Sequence, residues 1–254
     1  MKNRLLKFSL VMALLTLSVT AQAKIEAKIA PKGMKVLNKY DMSKGWFTIG
    51  GLNVYRPTQI KEGVRHLTHF NFGLLNMRMD IRIDSITSSE MDEAKQYRFE
   101  TDREGKYHYF ISNYDNEKQI TTGVDKIIAG GKVQTKELKG DISNGTIDPL
   151  TAVFYYLPKQ RLREGENIKI KVSDANLPQE AEFTYKVEGS EKIENNGKEI
   201  DTFIVTTGHK DIAFIVEEKG FTVKAWISKG ENPKLVKLEL TTPKTGLISF
   251  SLKS

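Results

Sequence analysis

The segment Asn76–Ile86 constrains the fold most, because its side chains alternate without a break between apolar and charged residues. The apolar positions are Met77, Met79, Ile81 and Ile83, and the charged positions are Arg78, Asp80, Arg82 and Asp84. This period of two predicts a β-strand that turns one face toward an apolar interior and the other toward water. Other segments repeat the pattern less strictly, and together they predict about a dozen strands.

The N-terminal residues have the composition of an export signal. The basic residues Lys2, Arg4 and Lys7 stand near the start of a largely apolar run, Leu5–Val19. Ala21 and Ala23 then form the A-x-A pattern of a cleavage site. We therefore expect residues 1–23 to be a signal peptide and residues 24–254 to form a single β domain. The apolar run is shorter than a bilayer-spanning helix, so we expect no integral membrane span. The expected location is the periplasm, with secretion as the second choice.

The composition excludes several functional classes. The chain contains no cysteine, which rules out a disulfide framework, a thiolate metal site and a lipid-anchored cysteine. Its formal net charge of +7 comes from basic residues that are scattered among acidic ones. Nucleic-acid binding needs a concentrated basic face, so we expect no nucleic-acid partner.

One segment departs from the strand pattern and predicts a short helix. Asp148 stands where a helix N-cap belongs, and Pro149 occupies the first helical position. Apolar residues then recur with helical spacing, at Leu150, Val153, Phe154 and Leu157. We expect the helix to end at Pro158 and to lay its apolar stripe against the apolar face of the sheet.

The strands show no internal repeat, low-complexity block or interdomain linker. The predicted fold class is therefore mainly β, with one curled antiparallel sheet that forms a half-barrel or incomplete barrel. The short helix is expected to pack into or across the concave side. At the level of fold alone, this architecture is similar to the concave sheets of periplasmic lipoprotein carriers.

Three motifs link the chain to a known family. The sequence D-P-L-T-A at residues 148–152 precedes the aromatic residues of the helix, K-A-W-I-S occupies 224–228, and N-P-K-L-V follows at 232–236. With these motifs, the chain from about Lys35 to Ser254 resembles the bacterial family called domain of unknown function 3108. The resemblance implies an exported, cysteine-poor β protein, and it implies no reaction.

The sequence offers few candidates for catalysis or metal binding. His66 and His69 are three residues apart, which places their side chains on opposite faces of a strand and argues against a shared metal site. Gly130-Gly131-Lys132 lacks the spacing of a phosphate loop and predicts a turn. No nucleophile elbow is present. We therefore expect no catalytic residue, no metal and no cofactor, and a protein that is not an enzyme.

The aromatic helix allows two interpretations, which the sequence leaves open. Its side chains fill the interior of the curled sheet, or the helix is a lid over an apolar cavity with Tyr155 and Tyr156 at its mouth. The second interpretation gives the candidate ligand-binding residues. They are Phe154, Tyr155, Leu157 and Trp226 on one side, and Met77, Met79, Ile81 and Ile83 along the floor.

The leading functional hypothesis is a non-enzymatic periplasmic binding protein that holds an acyl chain or a lipidated partner, such as a lipoprotein, in the concave sheet. The first alternative is a structural or interaction module of the cell envelope with a filled core and a protein partner. The second alternative is an outer-membrane β-barrel, which the short strands and plentiful charged faces disfavour.

Overall fold

The structure is a computed structural model that describes residues 34–253, except for 75–76, 104–105, 175–176, 208–221 and 243–245. The signal peptide expected at residues 1–23 lies outside the described residues.

Sixteen strands make up most of the described part of the chain. They are β1 (Val36–Lys44), β2 (Phe47–Tyr55), β3 (Thr58–Ile60), β4 (Gly63–Leu74), β5 (Met77–Thr87), β6 (Ala94–Arg103), β7 (Lys106–Asp115), β8 (Ile120–Ala129), β9 (Lys132–Asp141), β10 (Thr146–Ile147), β11 (Asn167–Asp174), β12 (Leu177–Asn195), β13 (Lys198–Thr207), β14 (Thr222–Ser228), β15 (Leu235–Thr242) and β16 (Gly246–Leu252). The mainly β fold class is therefore confirmed.

All of these strands belong to one curled sheet. Its order is β10-β11-β12-β13-β14-β15-β16-β1-β2-β4-β5-β6-β7-β8-β9, with β3 paired to β4. Neighbours along this order are antiparallel except for the β10–β11 pair. Strands β9 and β12 meet through a single parallel pair, Asp141 with Gln179. The sheet is not closed, which confirms the predicted incomplete barrel.

Strand β5 has the two faces that its sequence predicts. On the inner face, Ile83 is buried, while Met79 and Ile81 are half-buried. On the outer face, the Arg65 guanidinium donates to the Asp84 carboxylate at 2.8 Å, and the Arg82 guanidinium also reaches it. Opposite charges on one face of neighbouring strands stabilise this surface modestly.

The short helix lies against the inner face of the sheet. It is a π-helix at Thr151–Tyr156, followed by a 3₁₀ turn at Leu157–Lys159. The helix was expected to end at Pro158, but this residue lies inside the 3₁₀ turn, and the chain becomes extended at Gln160. A proline is compatible with the first turn of a helix, where its missing N–H costs no hydrogen bond.

The strand register distinguishes two ends of the sheet. The "helix end" is where the helix contacts backbone atoms of Tyr55, the last residue of β2, and of Leu67 in β4. The "open end" is the opposite end, where β2 begins. The register brings four pairs of strand ends together there: Lys44 with Phe47, Arg103 with Lys106, Ala129 with Lys132, and Thr242 with Gly246.

Gly50 allows β2 and β4 to approach closely. A Cβ atom at Gly50 would lie 2.1 Å from the backbone oxygen of Asn71. We therefore expect Gly50→Ala to lower the free energy of unfolding by about 1–3 kcal/mol, measured by urea denaturation. The matched control is Gly189→Ala in β12, where a Cβ meets no atom within 4 Å. The control should not lower the free energy of unfolding, and equal losses in both variants would contradict this account.

Candidate functional site

The short helix is anchored by a buried carboxylate. Oδ1 of Asp148 accepts the backbone N–H groups of Leu150 at 3.1 Å and Thr151 at 2.9 Å, and Oδ2 accepts the Ser85 hydroxyl at 2.5 Å. Residues 149–150 are helical and lead into the π-helix, so the first two bonds satisfy N–H groups at the start of this helical segment, which confirms Asp148 as its cap. The third bond ties the helix to β5.

Tyr155 provides the second anchor. Its hydroxyl lies 3.0 Å from the backbone oxygen of Tyr55 and 3.1 Å from that of Leu67. Burial raises the pKa of Tyr155 well above its ordinary value, so the hydroxyl keeps its proton and acts as a donor to these oxygens. This geometry ties the helix to β2 and β4.

His66 completes a buried polar cluster beside the helix. Its ring lies 4.5 Å from the ring of Tyr155, and its Nε2 is 3.0 Å from the hydroxyl of Thr87. Burial lowers the pKa of His66 to about 4; the nearby Asp148 carboxylate opposes this shift, and Lys159 adds to it. His66 is therefore neutral at pH 7.

The apolar side of the helix fills the helix end. Phe154 packs edge-to-face on Tyr40 with ring centres 5.9 Å apart, and Leu157 is fully buried. Since the Tyr155 hydroxyl faces backbone oxygens instead of a mouth, the lid arrangement is wrong at this position. Phe154, Tyr155 and Leu157 belong to the packed core in this structure.

Trp226 does not join the helix, although the sequence analysis grouped them. Its neighbours Ala225 and Ile227 point into the core, so the alternation of β14 places Trp226 on the outer face. There the indole N–H donates to the Glu191 carboxylate. The ammonium groups of Lys224 and Lys237 lie 4.5 and 4.6 Å from the ring centre, and the ring is only 4% exposed. The expected position in the concave site is therefore wrong.

The predicted floor is only partly buried. Ile83 packs in a core cluster with Tyr97 and Phe110, whereas Met79 and Ile81 are half-buried nearer the open end. The side chain of Met77 lies outside the described residues. The floor therefore extends from the filled helix end toward a more exposed region of the same inner face.

Half-buried apolar side chains continue this floor at the open end. Phe72 pairs with Met79 across β4 and β5, while Leu240 of β15 pairs with both Val223 of β14 and Ile248 of β16. We call this set the "apolar mouth", and its members are Phe72, Met79, Ile81, Val223, Leu240 and Ile248. Apart from Met79 and Ile81, sequence reasoning missed them as site residues, because alternation marks an inner face without showing which end of it a helix covers.

Polar groups border the floor on one side. Ile81 pairs with Thr101, and Thr101 pairs with His108, so His108 lies in the same row of the inner face two strands from Ile81. That separation is about 10 Å. Nε2 of His108 lies 2.6 Å from the Asp125 carboxylate, and both side chains are partly exposed. The inner face near the open end therefore combines an apolar surface with a polar margin.

His66 and His69 point apart, as their spacing predicts. His66 faces Thr87 and the helix on the inner side, whereas Nε2 of His69 lies 3.3 Å from Asp80 on the outer side. Their imidazoles therefore do not converge on one ion.

Comparison with protein families decides the classification. The family model described as "Protein of unknown function (DUF3108)" matches residues 39–253. The chain belongs to this family. The resemblance carried by the D-P-L-T-A, K-A-W-I-S and N-P-K-L-V motifs is thus confirmed. A comparison with proteins of curated function found no match.

Among solved structures, this DUF3108 protein is similar to the crystal structure of a β-barrel-like protein of the domain of unknown function DUF1849 from Brucella abortus. The TM-score is 0.51 at 11% sequence identity, covering 85% of this chain and 95% of the other. At this identity the likeness shows the fold alone. Within the described residues of the DUF3108 protein, no helix has the length and apolar character to cross a bilayer.

The buried neutral imidazole makes the stability of this DUF3108 protein depend on pH. Between the ordinary pKa of 6.5 and the folded pKa of about 4, the unfolded chain binds a proton at His66 that the folded chain does not. The free energy of unfolding is therefore unaffected by His66 protonation above pH 6.5, and it falls by about 3 kcal/mol as the pH approaches 4. We expect the free energy of unfolding, measured by urea denaturation, to fall less between pH 6.5 and pH 4 in His66→Gln than in the unmodified protein. An equal fall in the free energy of unfolding in the two proteins would contradict a buried, neutral His66.

Proposed function

We propose that this DUF3108 protein is a non-enzymatic binding protein of the periplasm that holds an apolar ligand in the open end of its concave sheet. The ligand class is an acyl chain, free or attached to a lipidated partner. The observation that carries the proposal is the apolar mouth, where six inner-face apolar side chains stay half-buried while the helix fills the other end.

The energetics favour an apolar occupant for the mouth. Its side chains adjoin the buried core, since Val223, Leu240 and Ile248 all pack against that core. Burial of apolar surface contributes about 25 cal/mol of favourable free energy per Å² removed from water. An acyl chain that covers these side chains therefore gains free energy from the apolar surface that it removes from water.

The polar margin favours an amphipathic ligand over a hydrocarbon. On the inner face, His108 lies two strands from Ile81 and Asp125 lies one strand further, within reach of a headgroup whose acyl chain occupies the mouth. Ligand pockets of this kind commonly pair an apolar lining with a few polar groups that set orientation. The export signal expected at residues 1–23 supports a periplasmic location for this activity.

A second candidate is an interaction module of the cell envelope whose interior is filled by its own side chains. The packing at the helix end favours it, because Phe154, Tyr155 and Leu157 occupy the space that a ligand would need there. The two candidates differ at the open end. A binding protein takes up an acyl probe at the mouth, and a filled module does not.

The proposal is tested with adjacent residues of β16 that face opposite sides of the sheet. Ile248 packs against the core on the inner face, and Leu247 is 44% exposed on the outer face. We expect Ile248→Glu to weaken the affinity for a fluorescent fatty acid at least tenfold, or about 1.4 kcal/mol, because a carboxylate would be desolvated beneath the chain. Leu247→Glu should leave the affinity within about twofold of the unmodified protein.

Circular dichroism of both variants establishes that each keeps the sheet. Equal affinities in the two variants would contradict a site at the mouth. Failure of the unmodified protein to bind the probe would reject the carrier function and favour the interaction module.

A further inference from the structure

The hairpin between β1 and β2 carries an unusual pair of exposed aromatic residues. Trp46 is 99% exposed and Phe47 is 74% exposed. Gly45 beside them has a φ of +59°, which supports a tight turn at this point. Large aromatic side chains are usually at least partly covered in folded proteins, so a convex turn that presents two of them to solvent indicates an interaction surface.

Other exposed apolar residues gather at the same end of the sheet. Leu247 follows the first residue of β16, and Val133 is the second residue of β9, so the register places both at the open end. Val133 is 57% exposed and Leu247 is 44% exposed. The remaining large exposed apolar side chains of the described chain are Val36 and Leu37, at the helix end, where Val36 pairs with Tyr55.

Among the described residues beside the open-end turns, most of the charges are positive. Five basic residues lie beside the open-end turns and are exposed: Lys44, Arg78, Arg103, Lys106 and Lys132. Among the described residues that lie within two positions of the β1–β2, β4–β5, β6–β7, β8–β9 and β15–β16 connections, one is acidic, Asp102. An apolar tip within a basic rim is complementary to a surface that is apolar inside and anionic outside.

We infer that the open end of this protein docks on an anionic lipid bilayer, with Trp46 and Phe47 inserted at the level of the lipid headgroups. Tryptophan favours the membrane interface because its ring is apolar and its N–H finds a polar partner there. Basic residues near the surface are attracted to anionic headgroups. A fluid bilayer is favoured over a protein partner because a convex tip inserts into it without a matching pocket.

Docking of this kind turns the apolar mouth toward the membrane. The tip and the mouth share the open end, since Phe47 begins β2 and Phe72, a member of the mouth, pairs with Gly50 of that strand. The inference rests on the exposed tip and the basic rim, and it holds whether or not the mouth takes up an acyl chain. If both are correct, the ligand enters and leaves at the lipid surface.

The chain offers a direct spectroscopic probe. It contains two tryptophans, and the other one, Trp226, is buried on the outer face of β14. In Trp226→Phe, Trp46 is therefore the single tryptophan. We expect its emission to shift to shorter wavelength with phosphatidylcholine vesicles that contain phosphatidylglycerol, and to be quenched by lipids brominated on their acyl chains. Pure phosphatidylcholine and high salt should weaken the response.

Matched double variants locate the contact. Trp46→Ser with Phe47→Ser should reduce co-sedimentation of the otherwise unmodified protein with the anionic vesicles at least tenfold. Val36→Ser with Leu37→Ser, at the helix end, should leave co-sedimentation within about twofold. Both double variants alter exposed side chains, and circular dichroism establishes that each keeps the sheet.

Three results would overturn the inference. They are a failure of the unmodified protein to co-sediment with the anionic vesicles, equal binding of the two double variants to these vesicles, and a dimer in size-exclusion chromatography that the tip variant abolishes. Fatty-acid affinity measured without vesicles separates this inference from the proposed function. The tip variant should retain that affinity, so the loss of one activity does not imply the loss of the other.

Discussion

The buried carboxylate of Asp148 holds the short helix in the sheet. A charged group in an apolar interior is costly unless it is fully hydrogen-bonded, and this one accepts two backbone N–H groups and the Ser85 hydroxyl. The same three bonds cap the helix and join it to β5. The hydroxyl of Tyr155 adds a second attachment, to β2 and β4. The helix is therefore fixed to three strands of the inner face.

The position of the helix determines what each end of the sheet can do. At the helix end, Phe154 and Leu157 complete a packed core, and a ligand there would have to displace the helix. At the open end, the side chains of the apolar mouth are only half-buried. The exposed hairpin tip and its basic neighbours lie at that same end. Ligand uptake and membrane docking are thus both proposed for the end of the sheet that lies away from the helix.

Local sequence patterns predicted the features that depend on local physics. The alternation of β5 gave its two faces, and Asp148 followed by Pro149 gave the start of the helix. Family membership also followed from short motifs. The spacing of His66 and His69 placed their rings on opposite faces. Each of these depends on residues within one strand or one turn, which the sequence shows directly.

The features that sequence reasoning missed depend on distant parts of the chain. Trp226 looked like a core residue because it is large and apolar, but it is covered by Lys224 of its own strand, Lys237 of β15 and Glu191 of β12. The apolar mouth needs residues of β4, β5, β14, β15 and β16 to meet, and it needs the helix at the other end. Strand order and register, which a single sequence does not display, decide both.

The most direct test of ligand binding at the open end is native mass spectrometry of the protein, purified without detergent from the cells that produce it. The account predicts a complex whose mass exceeds that of the chain by one acyl-containing molecule. Solvent extraction of this complex should release a lipid. The mass of the bare chain, with no lipid in the extract, would contradict the account.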